Sequence, residues 1–235
     1  MIAMGFSMAR PVAQNRAMRN DAESGPVESD RRPIAARSWG FSQVLTRWLA
    51  ARQASPDAIS AWGMVAGLLA GLAFAATAWW PEFLRALFLL GAALVPLRLL
   101  ANMLDGMVAV ARGVASAKGA LWNEVPDRVS DTAVLVGLGV AAGDAALGMG
   151  AALAAMATAY VRTTARAAGA PSDFSGPMAK QQRMAVAIAA GLLCAALPAQ
   201  APLLLAVALW LVLLGSLVTA ARRLLRAARA LDAAR

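Results

Sequence analysis

"NMLDGMVAVARGVASAKGALWNEVPDRVSD" (residues 102–131) joins two apolar runs, yet it carries Asp105, Glu124, Asp127, Asp131, Arg128 and two asparagines. Ionisable groups beside stretches of membrane-crossing length are costly, and by default they mark function. The rest of the chain sets that context. Its 235 residues are 60% hydrophobic with a mean hydropathy of +0.60, and charged residues make up 15%, against about 25% in soluble domains. This composition implies an all-α integral membrane protein of one domain.

The chain has no histidine and one cysteine, Cys194, inside "GLLCAAL". Histidine acid–base chemistry and histidine metal sites are excluded, and so is an intrachain disulfide. Any metal must be held by oxygen, which suits hard cations such as Mg2+, Mn2+ or Ca2+. The net charge is +9 and the pI near 11.4. Because the basic residues flank apolar runs, topology signalling and anionic lipid headgroups account for them without nucleic acid.

Residues 1–35 read as a disordered cytosolic tail, and "MIAMGFSMARPVAQNR" lacks the apolar stretch of a signal peptide. "ARSWGFSQVLTRWLAARQ" places Trp39, Phe41, Val44, Leu45, Trp48 and Leu49 on one face. That suits a helix on the inner membrane surface, with an ordinary soluble amphipathic helix as the alternative. Ser55 or Asp57 is expected to cap the next helix. Six spans follow: 58–80, 84–111, 119–143, 145–161, 184–199 and 201–220. The membrane domain covers 36–225, and 226–235 form a basic cytosolic tail. The connections "PEFLR", "GD" and "PAQ" hold a single basic residue, Arg85. They are expected outside, with both termini and the polar stretch on the cytosolic side of a bacterial-type inner membrane. Short outer connections make spans 1–2, 3–4 and 5–6 antiparallel neighbours.

On helices, Arg98, Asn102, Asp105, Ala109 and Arg112 share one face, and Gly119, Asn123, Asp127 and Ser130/Asp131 share another. Two antiparallel helices facing each other would enclose a cavity rimmed by Asn102, Asp105, Asn123 and Asp127. Gly106 would allow close approach, and Pro126 is expected to bend its helix and free a carbonyl near Trp122. The competing account is solvated helix ends. Glu124 and Arg128 fit it as an i, i+4 pair, but Asp131 does not, because "TAVLVGLGV" adjoins it. Arg162, Arg166, Lys180 and Arg183 lie between spans four and five. With Arg98 they either grip a phosphate or only signal topology. Gly176 and Pro177 mark a turn, and Arg222–Arg229 are assigned to lipid headgroups.

These residues are similar to the signature D-x2-D-G-x2-A-R-x8-G-x3-D-x3-D of the CDP-alcohol phosphatidyltransferase family, which lies on the second and third of six transmembrane helices. The positions fall on Asn102, Asp105, Gly106, Ala109, Val110, Gly119, Asn123 and Asp127, with every spacing kept and two aspartates replaced by asparagine. The likeness runs over about residues 37–225. It implies transfer of a phosphatidyl group from CDP-diacylglycerol to a polar alcohol, with glycerol 3-phosphate the expectation from family frequency, and release of CMP. It also implies divalent metal, Mg2+ or Mn2+. On this resemblance Asp105 is a metal ligand and Asp127 a ligand or base. Asn102 and Asn123 offer neutral oxygens, and Asp131 restores lost charge. Gly106, Ala109 and Gly119 would approach the nucleotide, while Arg98, Lys180 and Arg183 would hold an acceptor phosphate. Membrane lipids and a homodimer are the expected partners. The alternatives are a relative that binds a nucleotide lipid without turnover and a small-solute transporter; the clustering of polar residues at one end disfavours a transport path.

Overall fold

A computed structural model describes residues 39–115 and 117–234, with the backbone alone at 117, 118, 120 and 123. The expected tail over 1–35 lies outside the described residues. Within them the chain is all-α, with no strand. Its helices are α1 (Gly40–Ala51), α2 (Pro56–Ala76), α3 (Leu84–Ala111), α4 (Ala117–Ala141), α5 (Ala145–Ala167), α6 (Lys180–Ala196) and α7 (Ala201–Ala233), with 3-10 turns at Pro81–Phe83 and Pro198–Gln200. Helix starts have local causes. The Ser55 hydroxyl accepts from the Ala58 N–H at 3.4 Å just before Pro56, so Ser55 rather than Asp57 caps α2. Asp144 accepts from the Leu147 N–H at 2.8 Å and starts α5. Pro126 sits inside α4, which continues through it to Ala141.

Four stretches are long and apolar enough to cross a bilayer: Pro56–Ala76, Pro81–Ala111, Ala145–Ala167 and Pro198–Ala233. The other two expected spans do not reach that measure. The first half of α4 carries the polar cluster. The 17 residues of α6 extend about 26 Å, against a hydrocarbon core of about 30 Å.

The distribution of polarity is that of a membrane protein. Leu72, Leu153, Leu203 and Leu211 are exposed, while Arg98, Asp105, Asp127, Asp131, Lys180 and Arg183 are buried. A water-soluble fold would show the reverse. In α1, Ser42 and Thr46 face the protein, and Trp39, Phe41, Val44 and Trp48 face outward.

The expected direct pairing of the second and third spans is corrected by the packing. α2 lies along both α3 and α4, and those two helices touch each other only sparsely. Small residues permit the wedge. A Cβ added to Gly71 would fall 2.3 Å from the Ala133 carbonyl oxygen, and one added to Gly137 would fall 2.1 Å from that of Gly71. The α2 and α4 backbones are therefore in contact, as small residues allow in membrane helices. Three residues further along α2, Phe74 packs on Phe88 with ring centroids 6.2 Å apart and rests against Gly91 and Gly191.

Gly71→Ala is expected to destabilise the protein by about 1–3 kcal/mol, because a backbone carbonyl cannot yield to the new methyl. Gly150→Ala is expected to be neutral or to stabilise by up to about 1 kcal/mol, since its Cβ would meet only Leu213 Cδ1 at 4.0 Å. Thermal unfolding of the two variants in one detergent checks the contrast.

Candidate active site

Three helices supply a buried polar centre. α3 contributes Arg98, Asn102 and Asp105, α4 contributes Asp127 and Asp131, and the first turn of α6 contributes Lys180 and Arg183. Arg98 is 1% exposed and crosses to α4. Its Nη2 donates to Asp127 Oδ1 at 2.9 Å and to the Asp127 carbonyl at 3.1 Å, and it pairs with Asp131 Oδ1 at 2.7 Å. The Lys180 ammonium donates to Asn102 Oδ1 at 2.6 Å and to Asp127 Oδ2. Arg183 Nη2 lies 3.4 Å from Asp131 Oδ2, and Nη1 donates to the Met178 carbonyl at 2.9 Å and to the Thr158 hydroxyl at 3.2 Å. Asp131 therefore lies between two guanidinium groups. The three cations expected at an acceptor phosphate each engage a carboxylate of α4.

Asp105 differs. Its side chain accepts from the Ser60 hydroxyl of α2 at 2.5 Å and from the Gly106 N–H at 2.5 Å, with no ion pair among the described residues. It lies one turn from Asn102 on α3. A Cβ on Gly106 would meet nothing within 4 Å, so packing does not require glycine there and the stripe beside Asp105 is open. Ala109 and Gly119 are half-buried, and the Asn123 side chain lies outside the described residues. Asp105 is the carboxylate that would hold a divalent ion. Among the described residues no three Asp, Glu, His or Cys groups gather as a metal cluster, and an ammonium already lies on Asn102 and Asp127.

A second polar region adjoins the first. A cavity of about 320 Å³ is lined by Arg162, Ser172, Asp173, Arg223 and Arg226 among others. Arg162 pairs with Glu124, and its guanidinium lies 4.9 Å from the Phe174 ring centroid. Glu124 also pairs with Arg128 at 3.2 Å, the expected i, i+4 contact. Arg223 donates to the Ser175 carbonyl at 2.9 Å and to the Thr158 carbonyl at 2.8 Å. It is buried, which corrects its assignment to lipid headgroups. Partial burial pushes the Asp173 carboxyl up. Hydrogen bonds from the Ser175 hydroxyl and N–H and from Arg226 outweigh this and hold it below the usual range. Gly176 has φ +141 and lies so close to Thr219 that a Cβ would fall 2.4 Å from its methyl. The Thr219 hydroxyl accepts from the Met178 N–H at 3.0 Å. The expected turn at Gly176 is therefore pinned to α7, and this pin sets the start of α6.

Sequence reading missed Ser60 and Arg223. The signal for Arg223 was present, because Ser216, Thr219 and Arg223 recur at i, i+3 and i+7 on an otherwise apolar helix, and all three are buried. Ser60 gave none, since a serine in the first turns of a helix is ordinary.

No protein-family model matches the chain. It is 30% identical over 182 residues to the phosphatidylinositol phosphate synthase of Mycobacteroides abscessus, covering 72% of this chain and 76% of that protein. It is 29% identical over 203 residues to the phosphatidylinositol phosphate synthase of Streptomyces avermitilis, covering 80% of each. Two crystal structures of the Mycobacterium tuberculosis phosphatidylinositol phosphate synthase share the fold at 23% identity. The form with CDP-DAG bound has a TM-score of 0.65 and covers 80% of this chain and 93% of that one. The complex with manganese and citrate has a TM-score of 0.67 and covers 79% and 88%.

Arg98→Met leaves two buried carboxylates short of a cation and is expected to cost about 3–5 kcal/mol of stability. Adding Asp131→Asn should recover part of that loss. A double-mutant cycle on thermal unfolding reads the coupling, and purely additive losses would show that the pair does not hold α3 to α4.

Proposed function

The chain belongs to the CDP-alcohol phosphatidyltransferase family, and from that premise we propose that it transfers a phosphatidyl group from CDP-diacylglycerol to a phosphorylated polyol, releasing CMP. The observation that carries this reading is the meeting of Asn102 of α3 and Asp127 of α4, both at motif positions, on the buried Lys180 ammonium, with Asp105 one turn from Asn102. An inositol phosphate is the first acceptor to test, because the curated relatives are phosphatidylinositol phosphate synthases. That replaces the expectation of glycerol 3-phosphate, which nothing supports.

Helices α2–α7 all cross the membrane, with both termini and the polar centre cytosolic. The outward-facing leucines and the basic residues gathered at one side support this topology. α1 lies on the inner surface, supported by its exposed Trp39, Phe41 and Trp48. In the reaction the acceptor hydroxyl oxygen bonds to the phosphatidyl phosphorus, the bond from that phosphorus to the CMP oxygen breaks, and CMP leaves with the bonding pair. Asp127 receives the hydroxyl proton. Arg98 and Lys180 orient its oxygens, and a carboxylate has about four lone-pair sites, so acceptor capacity remains. A divalent ion held by Asp105 with the amide oxygens of Asn102 and Asn123 would neutralise diphosphate charge. Gly106, Ala109 and Gly119 form the open stripe for the nucleotide. The cavity at Arg162, Arg223 and Arg226 takes the acceptor phosphate, whose charge suits guanidinium forks. Arg98 and Arg183 serve as supports of α4.

A second reading, binding of the nucleotide lipid without turnover, is favoured by the engagement of both Asp127 oxygens by cations. CMP release by the purified chain, with CDP-diacylglycerol, Mg2+ or Mn2+ and a panel of alcohols, separates the two. Asp105→Ala and Asp127→Ala are each expected to lower release about 100-fold or more. Arg162→Ala is expected to raise the acceptor KM about 10-fold, the loss of one charge-assisted hydrogen bond, with the CDP-diacylglycerol KM unmoved. Binding without any CMP release would establish the second reading.

A further inference from the structure

The three guanidinium groups that line the basic cavity are held in three different ways. Arg223 donates to two backbone carbonyls, those of Thr158 and Ser175. These are neutral partners whose places the backbone fixes. Arg226 is exposed and pairs with Asp173 at 3.1 Å. Arg162 is buried and pairs with Glu124 of α4, and its guanidinium carbon lies 4.9 Å from the Phe174 ring centroid. A buried guanidinium without a counter-charge is costly, so Arg162 needs an anion whether the cavity is filled or not. Glu124 supplies that anion but does not depend on Arg162 in return. Its side chain is 40% exposed, and its second oxygen, Oε2, accepts from Arg128 Nη2 at 3.2 Å. Arg128 also lies 3.7 Å from Asp127 Oδ2 and donates through Nε to the Glu124 carbonyl at 3.4 Å, which keeps it beside Glu124. The pair is therefore unequal. Arg162 cannot stand alone, whereas Glu124 keeps Arg128 and water when it is displaced.

We propose that Glu124 occupies Arg162 in place of the acceptor phosphate, and that the phosphate displaces it on binding. Glu124 then rests on Arg128 and solvent, and the fork of Arg162 passes from carboxylate to phosphate oxygens. An uncharged polyol brings no replacement charge and leaves Arg162 on Glu124, so the exchange selects a phosphorylated acceptor. The inference rests on the reading of this cavity as the acceptor phosphate site, but its test needs no turnover. Inorganic phosphate is titrated into the full-length protein in detergent by isothermal titration calorimetry. Glu124→Gln is expected to bind it about 10-fold more tightly than the wild type, because one charge-assisted hydrogen bond no longer has to be broken. In an Arg162→Ala background the same substitution should change the affinity by less than about 2-fold. Equal tightening in that background would reflect only the loss of a nearby negative charge and would overturn the proposal. So would unchanged or weaker binding in Glu124→Gln, which would make Glu124 a support of Arg162 and not its competitor. Glu124→Ala repeats the comparison with no amide left to bond to Arg162, and the same outcomes decide. Phosphate binding that Arg162→Ala leaves untouched would overturn the cavity as the acceptor site and the exchange with it. Binding that Arg162→Ala weakens but Glu124→Gln does not tighten would overturn the exchange alone.

Discussion

The Arg98 guanidinium, reaching from α3 to Asp127 and Asp131 on α4, is the contact on which the rest of the arrangement depends. α2 is wedged between α3 and α4, so their backbones do not pack and side chains must join them. A charge in such a place costs several kcal/mol to desolvate and is tolerated only when paired and hydrogen-bonded. Here each carboxylate of α4 meets cations from two helices. Asp127 meets Arg98 and Lys180, and Asp131 meets Arg98 and Arg183. Removing any one of these cations leaves a buried carboxylate one partner short. The network therefore fixes the relative depth of α3, α4 and α6 far more sharply than the apolar contacts around it, since leucine gains little by facing protein rather than lipid.

Helical periodicity made the stripe on α3 legible before any coordinates. Residues 98, 102 and 105 must share a face at 3.6 residues per turn, and the structure brings all three to the same centre. The spacing of Asp127 and Asp131 worked in the same way. The α2 wedge was not legible, because it depends on Gly67 and Gly71 meeting Ser130, Ala133 and Gly137, a contact between residues some sixty positions apart that no local pattern encodes. The same limit explains the cations. Sequence could say that Lys180 and Arg183 lie near the mouth of a polar cavity. It could not say that they would turn onto Asp127 and Asp131, because the loop that aims them is anchored on Thr219, near the far end of the chain. α4 and α6 fall short of a span by length and composition because they carry the charges of the centre. Lys180 and Arg183 lie in the first turn of α6, and Asp127 and Asp131 lie near the middle of α4.

Thr158 shows how the two polar regions are kept in register. Its hydroxyl accepts from Arg183, which faces the carboxylates, and its carbonyl accepts from Arg223, which lines the basic cavity. One residue of α5 therefore touches a cation of each region. Arg223 in turn holds the Ser175 carbonyl, one residue before the Gly176 turn that delivers Lys180. A displacement of α7 would move Arg223, the turn and the start of α6 together, and with them the ammonium on Asp127. An in-line transfer between two bound substrates needs their reacting atoms held within a few tenths of an ångström. A chain of hydrogen bonds running from α7 through the loop to α6, closed by Thr158, gives that kind of constraint with short side chains and backbone groups. It also ties together residues as far apart in the chain as Lys180 and Thr219.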